Sequence, residues 1–341
     1  MPSRNFCFLW CRPQSIITDL KKPDPVEEAL ERLAALKNEA ETRPLAAELK
    51  AFLKNRSNLV VARAAKIAGQ SRAAELVPDL VATLQRLMEN PSKLDKTCAA
   101  TTAAVEALYE MDYAEPEIYL RGIHHVQMEG SFGPPVDAAA KLRGASAQGL
   151  ARTRHPAALD EIVSVLVDEW PEARIGAVRA LASNGGEAGA LLIKLRILSG
   201  ERQPDVLAEC FSGLLAAAPQ KSLPLVAGFI DSEDTAIAEA ALLALGSSRL
   251  PQALALLKAK CEESAGGPLR KAMLLAIAMV RSDAAIEYLL RLLADCPATM
   301  AKDVLEALTF FRNSENVRKR VESVVAQRNE KSVSEAFRQE F

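Results

Sequence analysis

The chain has 341 residues, 49% of them hydrophobic, 25% charged and 5% aromatic. That balance excludes a disordered chain, and few aromatics beside abundant alanine and leucine favour helix over strand, because those two lose little rotamer freedom in a helix. Forty-two basic side chains against forty-four acidic ones leave a net charge of −2, so the basic excess from which a nucleic-acid binder draws its affinity is missing.

In chain order, residues 1–22 read as an N-terminal extension. Its apolar stretch, NFCFLWC, is too short for a signal-peptide core and far too short to span a bilayer. No later stretch is apolar for long enough either, which points to the cytoplasm and to no membrane partner. Cys7 and Cys11 form a lone CxxxC with no further ligands placed to help, so no metal is expected there. Residues 23–56 carry two amphipathic, charged helices; Asp24-Pro25 followed by Glu27 and Glu28 supplies a capping residue, a proline for the first turn and acids facing the helix dipole. They read as a helical cap.

From 57 to 326 the text repeats. In ARIGAVRALASNGG, Ala173, Ala177, Ala180 and Leu181 fall on one face of a helix. The equivalent of Ala180 recurs as Gly213, Ala244, Ala276 and Ala307, at spacings of 33, 31, 32 and 31 residues, and upstream as Gly149, Ala107 and Ile67 at 31, 42 and 40. Each anchor is followed by a turn, with glycine or proline for capping, and then by a second apolar helix such as ALLIKLRIL. A helix pair of this kind cannot bury its apolar face alone, so neighbours must stack; about eight pairs are expected, with insertions near 88–98 and 127–136. Residues 327–341 read as a C-terminal tail. The class is all-α, an α-solenoid.

Neither the turn of ankyrin units nor the Trp-Leu-Gly-Tyr pattern of tetratricopeptide units occurs. The stretches PEARIGAVRALASNGG, DTAIAEAALLALGSS and RAAKIAGQSRAAELVPDLV resemble the HEAT family, in the short form called PBS-lyase-like HEAT repeats. That resemblance implies a right-handed superhelix of helix pairs whose second helices line the concave face. It also implies a scaffold more often than an enzyme.

Two of the three histidines sit in RGIHHVQMEGSFGPPVD. The stretch reads as the end of a second helix, 115–128, with Ile118, Ile123 and Val126 as its buried stripe, followed by a loop. His124 and His125 fall beside the stripe, and Phe132 is a candidate anchor on the loop. His155 opens the next second helix, at the opposite edge of the stack, which argues against a three-histidine metal site. No cysteine or serine has a recognisable nucleophile context, so no catalytic residue and no cofactor are expected. Both insertions follow second helices and so emerge from one edge, a first candidate surface. The concave face supplies a second, with Asp160, Ser164 and Asp168 on one helix, Lys194 on the next, then Lys258, Glu287 and Arg291. The reading is of a non-enzymatic scaffold binding another protein along one of these surfaces, its oligomeric state left open. Two alternatives come with the resemblance: a nucleic-acid binder similar to HEAT-like DNA glycosylases, for which only Trp10 and Trp170 are available, or an accessory protein handling a chromophore as PBS lyases do.

Overall fold

The computed structural model describes residues 24–39, 45–130, 133–263 and 267–341. Helices α1 (Pro25–Glu39) and α2 (Leu45–Leu53) cover the start of an array of eight pairs, each with a first helix A and a second helix B. The pairs are α3 (Asn58–Gln70) with α4 (Val77–Glu89), then, after the single turn α5 (Pro91–Leu94), α6 (Ala99–Glu110) with α7 (Pro116–Ile123), and α8 (Ala140–Thr153) with α9 (Ala158–Leu166). There follow α10 (Pro171–Asn184) with α11 (Gly186–Leu198), α12 (Pro204–Ala217) with α13 (Pro219–Ala227), and α14 (Thr235–Ser248) with α15 (Pro251–Glu263). The last are α16 (Arg270–Met279) with α17 (Asp283–Asp295) and α18 (Ala298–Leu308) with α19 (Glu315–Arg328). Helix α20 (Lys331–Glu340) closes the chain: the stretch expected as a tail is a helix packed on α18 that buries Val333 completely.

The A helices stack on one another from α3 to α18, and the B helices α9, α11, α13, α15 and α17 each lie against two of them, as α11 does against α10 and α12. Small residues make that stacking possible. All the anchors are buried, and α8 crosses α10 closely, where a Cβ added to Gly176 would stand 2.2 Å from the Cα of Gly144. At the next level Gly149 accepts the ring of Tyr119 at a distance a side chain would close, 2.1 Å from an added Cβ. Tyr119 is fully buried there, and its hydroxyl donates to the Tyr113 carbonyl at 3.0 Å.

The turn from A to B is made differently from the expectation. Among the described A-to-B turns a glycine at positive φ serves at Gly186 alone; five others are reversed by a single left-handed residue, Arg72, Asp112, Arg154, Arg249 or Arg281, and those after α12 and α18 use none. Each of the five stands five residues after its anchor.

In the first six of the eight units a second repeated position lies twelve residues before the anchor, and it holds Asn55, Asp95, Asp137, Asp168, Glu201 and Ser232. Each closes the start of the following A helix. Asn55, Asp137, Asp168, Glu201 and Ser232 accept from the backbone N–H two residues on, and Asp95 from Ala100 and Thr101. Three A helices carry an arginine six residues before the anchor, Arg143, Arg174 and Arg270. Arg143 donates to Asp137 at 2.6 Å and, through two N–H groups, to Asp168 of the next unit at 2.7 and 3.0 Å. Arg174 grips Glu201 in the same two-pronged way at 2.8 and 3.0 Å and also donates to the carbonyls of Asp168 and Glu169. Arg270 pairs with Asp303 of the last unit, Nε to Oδ2 at 2.7 Å. The bridges to Asp168, Glu201 and Asp303 run between units, and the one to Asp137 lies within its own.

Burial alone would raise the Glu201 carboxyl. Arg174, the Gln203 N–H and Arg196 outweigh burial and hold it down at about 2. Asp137 is likewise lowered against its burial, by the N–H groups of Gln127 and Ala139 and by Arg143. A carboxylate whose folded value lies below its ordinary one stabilises the fold fully above the ordinary value, 4.5 for Glu201, and loses that contribution as pH falls toward the folded value. Urea midpoints measured from pH 6 to pH 2.5 are therefore expected to drop below about pH 4.5. Glu201→Gln should flatten that drop while lowering stability at neutral pH.

The insertion is not the longer helix expected from its sequence. Helix α7 stops at Ile123, and Met128–Glu129 pairs antiparallel with Val136–Asp137 as a small hairpin. Val126, placed in the buried stripe, is 63% exposed, whereas Ile123 is buried and Ile118 partly so. The cause is Gln127, which is buried. Its side-chain amide lies 2.8 and 3.1 Å from the carbonyls of Asp95 and Lys96, in the first insertion, and its backbone N–H donates to Asp137. The chain leaves the helix to place that amide. Gln127→Ala is expected to cost about 1–3 kcal/mol, since it orphans buried carbonyls. Hydrogen exchange should then quicken together at the hairpin and at 90–98; protection unchanged at 90–98 would refute the link.

Candidate functional site

The insertion's two histidines are engaged with neighbouring residues. His124 Nε2 lies 3.0 Å from Glu161 of α9, and His125 has Nε2 3.2 Å from the Gln127 amide oxygen while its carbonyl accepts from Arg143. His155 precedes α9, where its Nδ1 accepts from the Ala157 N–H. Phe132, like Cys7, Cys11 and Trp10, lies outside the described residues. The described residues hold no cluster of three or more metal-binding side chains. Cys98, Cys210, Cys261 and Cys296 are free and buried, and burial, with Asp95 beside Cys98 and Glu201 beside Cys210, pushes the thiols of Cys98 and Cys210 up to about 12. That is the opposite of what makes a thiol nucleophilic.

The residues proposed for a groove separate into three groups. Asp168 is not a groove residue: it lies beyond the end of α9, its side chain is 12% exposed, and it is committed to Arg143 and to the start of α10. Reversing its charge would break an inter-unit bridge, so loss of a partner on such a change would say nothing about docking. Asp160 and Ser164 do face solvent on α9, where the Ser164 hydroxyl leans on the Asp160 carbonyl at 3.4 Å. Lys258, Glu287 and Arg291 are brought together around Tyr288. Lys258 Nζ is 5.1 Å and the Arg291 guanidinium 5.4 Å from its ring centre, and Glu287 pairs with Arg320 of α19. These three are engaged with their neighbours, whereas Lys194 of α11 is exposed with no ion pair or hydrogen bond among the described residues.

Around Lys194 lies a surface that reading the sequence for charge overlooks. Leu191, Leu195 and Leu198 of α11 are 63%, 58% and 64% exposed. The signal is present in GEAGALLIKLRIL: a helix apolar on nearly every side cannot hide them all when one face alone meets the core. Ile193 and Ile197 take the core face. Because B helices stand apart in the grooves of the A layer, a cleft of about 500 Å³ opens between α11 and α13. Leu214 of α12 forms part of its floor; Ala190, Leu191 and Lys194 line one wall, and Pro219, Lys221 and Leu225 the other. No comparable row of exposed leucines occurs on another described B helix.

No family model matches the chain, and no curated protein does. Among solved structures it is similar to human deoxyhypusine hydroxylase in complex with glycerol, at 20% identity and a TM-score of 0.30, over 76% of this chain and 92% of that one. It is also similar to an engineered protein, at 14% identity and a TM-score of 0.36, over 92% of each chain. A stack of helix pairs does not by itself exclude catalysis, and the first match is to a hydroxylase, so the expectation of a non-enzymatic chain is withdrawn. No described helix is long and apolar enough to cross a membrane. What the helices and their stacking establish is an all-α solenoid of paired helices.

Proposed function

We propose that this chain is a HEAT-like scaffold that binds another protein on its B-helix layer, with α11 and the α11–α13 cleft as the docking face. The observation that carries the proposal is the row Leu191, Leu195 and Leu198, all more than half exposed beside a formed cleft. Contiguous apolar surface rimmed by polar groups marks contact sites on soluble proteins. Covering each leucine would contribute roughly 1–2 kcal/mol, enough together to matter for a complex and too much to leave in water without a use. The fold does not need these side chains, since none of them enters the core.

The test is affinity capture from nuclease-treated host lysate with the wild type and with Leu191→Glu/Leu195→Glu. A protein retained by the first and lost by the second, with thermal melting unchanged between them, is the expected result. Identical captured sets would remove α11 from the docking face.

A further inference from the structure

Taking the α11 face as a docking site, its geometry and charge also specify what docks there. Ala188, Leu191, Leu195 and Leu198 follow one another at intervals of three, four and three residues, and Ala188 is exposed like the leucines. That spacing is the seam a second helix packs into, with side chains of one inserted between those of the other. The seam spans about 15 Å at the helical rise per residue, so three turns of a partner helix would cover it. An extended segment would not use the spacing, and α11 offers it no free backbone groups.

The charges bordering the seam are Lys194, unpaired, and Lys221 on the facing wall of the cleft, 82% exposed and 3.8 Å from an equally exposed Glu187. Two ammonium groups against one carboxylate leave the border positive. A second copy of this chain fits the seam by shape, because the spacing reads the same in both directions and an antiparallel α11 would present it again. In that arrangement the two Lys194 side chains meet on the same flank, and like charges at an interface are strongly selected against. We infer that the partner element is an amphipathic helix with a leucine-type stripe and carboxylates on the flank that faces Lys194.

The experiment uses two synthetic 18-residue helical peptides with the same 3-4-3 leucine stripe, one flanked by glutamates and the other by lysines. Binding to the full chain is read by fluorescence anisotropy at low and high salt, with sedimentation of the chain alone in parallel. The glutamate peptide is expected to bind at least tenfold more tightly than the lysine peptide at low salt, with the gap closing as salt rises. Leu195→Glu should weaken both at least tenfold, and Lys194→Glu should reverse the preference. Equal affinities, a preference that survives Lys194→Glu, or binding indifferent to Leu195→Glu would each overturn the inference. So would a dimer of the chain alone that Leu195→Glu dissociates, since the occupant would then be a second copy. Lysate capture that fails while the peptide preference holds would sink the scaffold reading and leave the cleft's selectivity standing; the converse would sink the inference alone.

Discussion

Arg174→Ala lowers the stability of the array by about 3–5 kcal/mol, the cost of removing one member of a buried ion pair. The guanidinium joins three groups through four hydrogen bonds: the Glu201 carboxylate through two and the carbonyls of Asp168 and Glu169 through one each. Its side chain is 6% exposed and that of Glu201 2%, so water does not step in when it goes. Arg196, 21% exposed, still reaches Glu201 at 2.7 Å, which keeps the loss from being complete. The damage should concentrate where α10 meets α12, and urea unfolding followed by hydrogen exchange would show it as early opening on either side of residue 201. A shift below about 1 kcal/mol, the ordinary value of a surface pair, would mean that the bridge contributes no more than an exposed one.

The second large effect comes from a change that adds atoms. Gly176→Val places a branched Cβ where the α8 backbone already stands, 2.2 Å from the Gly144 Cα and 2.4 Å from its carbonyl atoms. A flexible side chain could turn away; a helix backbone cannot, so α8 and α10 must separate along their length. Overpacking of this kind costs about 3 kcal/mol or more, and here it also opens the stacked A layer. Circular dichroism should show helix retained and the melting temperature lowered, with exposed apolar surface reported by dye binding. Gly144→Ala, aimed at backbone 2.8 Å away, should act in the same direction with a smaller effect. If Gly176→Val melted like the wild type, the small residues at the α8–α10 crossing would be tolerated choices rather than requirements.

How much of this could be read beforehand depended on whether the signal was periodic. The anchors Ala180, Gly213, Ala244 and Ala276 were legible because a helix that must lie against another advertises its small face at regular spacing. The acidic position twelve residues earlier was equally periodic but harder to see, since it is filled by four residue types whose shared property is a side-chain oxygen two residues ahead of an N–H. Arg143 and Arg174 were hidden for a different reason. A charged residue on a helix face reads as solvated, and only the neighbouring unit reveals that its partner lies across the boundary. The insertion was misread because Ile118, Ile123 and Val126 keep helical spacing, whereas the fold of that stretch is decided by Gln127 and two carbonyls some thirty residues upstream. The α11 leucines went unnoticed for the opposite reason: a helix apolar on nearly every side has no broad polar face to define what is left outside.

The acidic position has a consequence for how such a chain can change length. The extra length of both insertions falls upstream of it, since Asp95 and Asp137 keep their twelve-residue distances to Ala107 and Gly149, while Asp137 keeps its six-residue distance to Arg143 just as Asp168 does to Arg174. An added residue upstream of the acid lengthens a loop; an added residue downstream would slide the carboxylate off the helix start and away from its arginine. The carboxylate therefore works as a seam allowance in the pattern, the one place per unit where new sequence can be let in without recutting the stack. Elaborations that give such an array a new binding surface should enter there, and the hairpin carrying Met128 and Val136 is one that did.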